Sequence, residues 1–339
     1  MRCFFHSLQD RHVPKSYLNR GRMRAPQELP ERTGHIIAGL EKLGLSVQEP
    51  GDYGMAPLHR VHCADYLRFL ASAHQRWTAG PDDWGEEVIS NIFIRTRGAR
   101  RSLIGEAAWY QADGSCPIGE GTWEAAYWSA QTALSAAEAI RGGERLAYGL
   151  CRPPGHHARP DAAGGFCYLN NATIAAEALL TDFPRIAILD PDMHHGQGIQ
   201  EAFYDRDDVF YVSVHGDPGN FYPVVSGYED ERGEGPGEGC NLNIPLPHGS
   251  SEQVFLGAID DAMKAVELFA PDLLIVTLGF DTYREDPQAK VDVSSPGFAR
   301  MAERFAAAGL PMLVVQEGGY HLDSLAENTR QFFSVLVDQ

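Results

Sequence analysis

The chain is 339 residues long and carries 46 acidic against 28 basic side chains, a formal net charge of −18. That field repels nucleic acid and anionic membrane surfaces and draws cations, so neither a nucleic-acid nor a membrane partner is expected. Hydrophobic residues make up 44% and charged residues 22%, the balance of a globular chain, and the length suits one large domain or two ordinary ones. Six cysteines (Cys3, Cys63, Cys116, Cys151, Cys167, Cys240) form no C-x-x-C pair, which argues against a disulfide framework and a cysteine-rich zinc site. The N-terminal MRCFFHSLQDRH lacks the apolar run of a signal peptide and no segment could span a bilayer, so a reduced, cytoplasmic setting is expected.

MRCFF reads as an opening strand and ERTGHIIAGLEKLG (31–44) as a helix. The stretch from about Gln75 to Gly121 is irregular, with turn signals (AGPDDWG), a basic cluster (RTRGARR, 95–101) and GSCPIGEG (114–121). It is expected to be a long excursion from a single domain, and long ordered loops often serve as lids or contact surfaces. An alanine-rich helix should follow Gly121, capped by Thr122 with Glu124 nearby.

The second half alternates apolar runs with helical patterns. RIAILD (185–190), VFYVSV (209–214), LLIVTLG (273–279) and MLVVQEG (312–318) read as strands. Segments 171–180, 251–270 and 296–309 between them read as helices. Near-continuous apolar strands separated by helices predict an α/β fold: one open parallel sheet covered by helices on both faces.

ILDPDMHHGQG (188–198) carries the chemistry. If the chain stays extended past Ile188, Asp190, Asp192 and His194 point one way at the C-terminal end of a strand, where open α/β sheets place their sites. A lone aspartate there would read as a helix cap and a lone histidine as a satisfied core residue. Three acid and imidazole groups in register call for a cation. LLIVTLGFDT delivers Asp281 just past a second strand, and VVQEGGY delivers Glu317 and Tyr320 past a third. In CRPPGHHA, Pro153, Pro154 and Gly155 present the neighbouring histidines His156 and His157, a pair suited to proton transfer or metal binding. Two aspartates and a histidine are zinc-compatible ligands that leave room for water. They nearly cancel the charge of Zn²⁺, so a second electrophile such as the Tyr320 hydroxyl would help.

RPPGHHA (152–158), GGFCYLNNA (164–172), DPDMHHGQG (190–198), SVHGDP (213–218), LGFDT (278–282) and EGGY (317–320) together resemble the arginase/deacetylase superfamily. Within it the chain is most similar to the histone-deacetylase-like branch and its bacterial acetylpolyamine amidohydrolases, as RAPQELPERTGHI near the N-terminus also suggests. The resemblance implies zinc-dependent deacetylation of small cationic N-acetylated amines by a homodimer whose residues 75–121 narrow the substrate channel. It implies one Zn²⁺, with Fe²⁺ as the alternative, on Asp192, His194 and Asp281. His157 is then the principal general base and acid, His156 its partner bonded to Asp190, and Tyr320 the oxyanion stabiliser. Gly165, Phe166 and Tyr222 would line the channel. A structural K⁺ is implied at Asp190, Ser213, Val214 and the backbone carbonyls of Asp192 and His194.

Two positions depart from the family's pattern. Gln197 stands where Asp or Asn usually orients the second tandem histidine. Where the polyamine branch places an acid for the distal ammonium, this chain has Ile104; either Glu106 two residues on replaces it, or the preferred substrate is not a polyamine. Competing readings are a deacylase acting on acyl-lysine or another small amide, a two-metal ureohydrolase, and a catalytically dead binding protein on the same fold. The ureohydrolase lacks support because only Asp281 occupies a ligand place on the later strand. The binding protein lacks support because no ligand and no tyrosine is lost.

Overall fold

A computed structural model describes residues 1–80, 84–94 and 100–337. Part of the basic cluster, residues 95–99, lies outside that set. Eight strands build the main sheet: β1 (Arg2–Phe4), β2 (Val47–Gln48), β3 (Leu146–Gly149), β4 (Ile186–Asp190), β5 (Val209–Gly216), β6 (Asn241–Leu246), β7 (Leu273–Leu278) and β8 (Met312–Gln316). Their order is β2-β1-β3-β8-β7-β4-β5-β6, and every pairing is parallel.

The apolar runs are buried on both sides, as expected for a sheet sandwiched by helices. Along β7, Leu274, Val276 and Leu278 face the helices Glu252–Phe269, Ser295–Ala307 and Leu322–Val337. Leu273 and Ile275 face the helices Thr122–Arg141 and Asn171–Leu179. No helix among the described residues is long and apolar enough to cross a membrane.

Several elements escape the sequence pattern. β3 has only four residues, and β6 is an edge strand in which Asn241, Asn243 and Leu246 are buried and Leu242, Ile244 and Pro245 half-buried. The helices Ala64–Thr78, Leu103–Tyr110 and Leu322–Val337 were also not anticipated. The first two change the reading of residues 75–121. Val88, Leu103, Ala107, Cys116 and Ile118 join Tyr66, Leu70, Ala130 and Leu134 in a third apolar cluster. The insertion is therefore docked on the domain through its own small core.

The capping expectation at Thr122 needs correction. Gly121 caps the helix Thr122–Arg141 without a side-chain bond, while the Thr122 hydroxyl takes the Gly119 N–H at 2.8 Å. A Cβ on Gly121 would sit 2.1 Å from the Arg11 carbonyl oxygen, so that backbone approach requires glycine.

Candidate metal and catalytic site

Five strands adjacent in the sheet, β3, β8, β7, β4 and β5, deliver the site from their C-terminal ends. β4 ends at Asp190, and the next residues bend rather than continue as a strand. Asp192 and His194 are therefore brought together by hydrogen bonds and not by strand alternation. His194 N–H donates to Asp192 Oδ1 (2.9 Å), Met193 N–H to Asp281 Oδ1 (3.0 Å) and Gly318 N–H to Asp192 Oδ2 (3.0 Å).

Asp192, His194 and Asp281 are buried, and their ligand atoms lie within 4.8 Å of one another. Oxygen and imidazole donors in this number suit Zn²⁺. The surroundings fit a cation as well. A Cβ on Gly279 would fall 2.1 Å from Asp192 Oδ2, and one on Gly318 would fall 2.6 Å from Asp281 Oδ2, so two glycines leave this pocket open. Burial and the Asp192 charge push the Asp281 carboxyl well above the usual range in the metal-free protein, the frustration a cation relieves. Phe221, missed in the sequence, stacks on His194 at 4.6 Å.

The histidine pair sits beside these ligands, with ring centroids 3.9 Å apart. His156 Nδ1–H donates to Asp190 Oδ2 (3.0 Å), which also accepts the Tyr211 hydroxyl (2.8 Å). Burial opposes a charge on His156, but Asp190, Asp192 and Glu317 outweigh it and hold its pKa up at about 10 without metal. His157 goes the other way: burial, then the neighbouring His156 and His194, drive it well below the usual imidazole range. A buried neutral imidazole is the form able to accept a proton.

Glu317 accepts the N–H groups of Gly155 (2.7 Å) and His156 (3.1 Å), which fixes the histidine loop to the end of β8. Burial pushes its carboxyl up to about 7 from 4.5. An acid raised in the fold contributes stability below its unfolded pKa and loses it as pH rises through the folded one. Glu317→Gln keeps an acceptor and should flatten the fall in metal-free stability between pH 4.5 and 7 in denaturant melts. Glu317→Leu should cost about 1–3 kcal/mol for each orphaned amide. An unchanged pH dependence in the glutamine variant would remove this role.

Tyr320 follows on the same segment. Asp286 Oδ2 accepts both the Tyr320 (2.6 Å) and His321 (2.9 Å) N–H groups, and the ring lies 5.0 Å from the Arg32 guanidinium. Its hydroxyl has no hydrogen-bond partner among the described residues, and burial, with Asp281 next, keeps its proton on well above the usual range. It is a free donor. Arg32 was not anticipated; it donates to the Glu317 and Gly319 carbonyls (2.6 Å each) and to Glu28 (2.7 Å), while Arg152 meets the same carboxylate at 2.8 Å. This buried group rigidifies the backbone that carries Tyr320.

Residues 26–336 match the sequence profile of the histone deacetylase domain. The chain belongs to the histone deacetylase family. It is similar to an acetylpolyamine amidohydrolase of Burkholderia pseudomallei, 57% identical over 333 residues and 98% of each chain. It is similar also to an acetylpolyamine amidohydrolase of Mycoplana ramosa, 38% identical over 97% of each chain. A crystal structure of the Burkholderia pseudomallei acetylpolyamine aminohydrolase superposes with a TM-score of 0.98, at 57% identity, covering 99% of this chain and 98% of that one.

Gly165, Phe166 and Tyr222 gather beside the histidine pair and Tyr320. Gly165 (φ +56) and Phe166 (φ +69) both take the left-handed conformation, unusual for phenylalanine. A Cβ on Gly165 would lie 2.3 Å from His157 Cδ2 and 2.7 Å from Tyr222 Cε1, so the glycine lets the two rings meet. Phe166 stands edge-on to Tyr320 at 5.9 Å. Asp190 and Ser213 are register partners across β4 and β5, and Val214 follows on β5.

Glu106 is not brought to this site within the chain. It pairs with Arg76 at 2.6 Å, in a groove with Asp65 and Arg68. The helix Ala64–Thr78 packs on the helix that carries Glu106, so a nearby guanidinium takes the carboxylate. Ile104 is exposed.

Proposed function

We propose that this chain hydrolyses the acetyl amide of small cationic amines, the acetylpolyamine class, with one zinc ion on Asp192, His194 and Asp281. The observation that carries the reading is the buried three-donor cluster beside His157, together with a Tyr320 hydroxyl that has no hydrogen-bond partner among the described residues. The names of the relatives point to the same substrate class. A bound Zn²⁺ supplies Lewis acidity for the scissile carbonyl and for water, and Fe²⁺ suits the same donors.

The chain's own groups do the rest. His157 bonds Gln197 through Nδ1 (2.7 Å), which leaves Nε2 to take a proton from water and return it to the departing amine. Tyr320 donates to the carbonyl oxygen as negative charge develops on it. His156, bonded to Asp190, places a second imidazole beside that proton. Gly165, Phe166 and Tyr222 confine an acyl-bearing chain of narrow section. K⁺ at Asp190, Ser213 and Val214, together with the Asp192 and His194 carbonyls, would balance the buried carboxylates in the structural role.

A cavity of about 540 Å³ opens outward from His194 and Tyr222 and is lined farther out by Arg20, Arg24 and Lys290 as well as Asp113. One chain therefore offers the distal ammonium little free acid there. A homodimer answers this, with residues 75–121 of each copy restricting the other's mouth; Ile92 and Phe93 are exposed apolar anchors on that segment. The setting is cytoplasmic on this reading.

The test is a panel of acetylated diamines and polyamines, acetyl-lysine peptides and neutral acetylamides of equal length. Acetylated polyamines should give the highest kcat/KM, and their advantage over the neutral amides should shrink with added salt. A higher kcat/KM on acetyl-lysine peptides than on every free polyamine would move the assignment to protein substrates.

A further inference from the structure

His156 has a carboxylate against its ring, but among the described residues His157 has only the amide of Gln197. A glutamine can face an imidazole with its oxygen or with its NH₂, and the two faces stabilise opposite tautomers. With the oxygen inward, Nδ1 carries the proton and Nε2 is a free base. With the NH₂ inward, the proton moves to Nε2 and the ring can accept nothing from water. Nothing in Gln197 itself chooses between these states.

The choice is made farther out. Gln197 Nε2 donates to the Tyr222 hydroxyl (3.3 Å), and that hydroxyl donates to Asp113 Oδ2 (2.7 Å). Asp113 gives nothing in return. Its Oδ2 also takes the Gly165 N–H (3.1 Å), and its Oδ1 takes the Ser115 N–H (2.7 Å) and the Ser115 hydroxyl. An acceptor at the end of the chain sets the direction of every bond before it. Tyr222 must spend its one proton on Asp113, so its oxygen can only accept from Gln197. Gln197 must then turn its oxygen to His157.

We propose that Asp113, at the channel mouth, acts through Tyr222 and Gln197 to hold His157 in the tautomer with a free Nε2. Asp113 and Tyr222 are positioning residues, and the arrangement supplies through two relays the orientation His156 receives directly. Tyr222 keeps the proton the relay requires, because burial and Asp113 raise its pKa well above the usual phenol value. The insertion thus reaches the chemistry through hydrogen bonds as well as through the shape of the mouth. This inference rests on the reading of His157 as the proton acceptor.

The decisive measurement is the ¹⁵N spectrum of histidine-labelled, zinc-loaded protein without substrate, with the His157 signals assigned by substitution. Wild type should show one tautomer, protonated on Nδ1. Tyr222→Phe keeps the ring wall and breaks the relay; it should give a mixture of tautomers and lower kcat about three- to tenfold, as in the loss of a general-base population, with KM nearly unchanged. Asp113→Asn should shift the spectrum in the same direction.

Gln197→Glu supplies an acceptor-only group directly, so in that background Tyr222→Phe should cost less than about twofold and leave the spectrum on Nδ1–H. A spectrum that stays wholly Nδ1–H in Tyr222→Phe, or a full kcat loss that persists in the glutamate background, overturns the proposal. Because the spectrum needs no substrate, its outcome is separate from the substrate assignment. An inactive panel with the expected tautomers would sink only the latter.

Discussion

Asp281→Asn should eliminate deacetylation and tight metal retention together. Asp281 and Asp192 bring all of the negative charge to a buried three-donor cluster, and an amide oxygen in place of one carboxylate gives a weaker, uncharged ligand. Loss of metal also removes its stabilisation of the fold, about 4 kcal/mol at a metal concentration a thousandfold above Kd. Wild type should therefore melt higher with zinc than after chelation, whereas Asp281→Asn should melt alike in both. The stripped variant should be no less stable than stripped wild type, because burial and Asp192 strain the Asp281 carboxyl when no cation is present. Metal content and paired denaturation curves check this. One tightly held equivalent of metal with near-normal kcat in the variant would remove Asp281 from the ligand set.

Tyr320→Phe should lower kcat by about 10²–10³ and change KM much less, the usual consequence of losing one donor to a developing oxyanion. The size follows from three features of the site. The hydroxyl has no hydrogen-bond partner among the described residues, burial keeps its proton on, and Asp286 and Arg32 hold its backbone and ring before substrate arrives. A donor already in place loses little on reorganisation, so its full strength appears in the transition state. The phenyl ring in the variant should keep its contact with Phe166, which makes a folding defect an unattractive explanation. Near-normal kcat would take Tyr320 out of the mechanism.

The parallel sheet was legible because its central strands are buried on both faces and so read as unbroken apolar runs. Leu273–Leu278 and Met312–Gln316 are examples, and their C-terminal ends marked where the chemistry would gather. β3 and β6 were not legible, the first for its length and the second because this edge strand buries the polar Asn241 and Asn243 and leaves Leu242 and Ile244 half-buried. The cluster of Asp192, His194 and Asp281 was recognisable from residue type and spacing even though the predicted alternation is replaced by a bend after Asp190. Ligand identity survives such a change because three donors have only to meet at one point.

Partner choice was different. Glu106 looked suitable for an ammonium by its place in the sequence, but the fold sets Arg76 against it. Gln197 stood out only as a departure from the usual Asp or Asn, until Tyr222 and Asp113 arrived from two loops to orient it. Arg32, Arg152 and Glu28, three of the buried charged groups, gave no local signal at all. By itself the sequence determined the central strands of the sheet, the three acid and imidazole donors proposed to hold a metal, and the histidine pair, since periodicity and strand-end residues are local properties. Only the tertiary structure decided which hydrogen bonds orient those groups, because a polar side chain takes its direction from whichever donor or acceptor the fold places within about 3 Å of it.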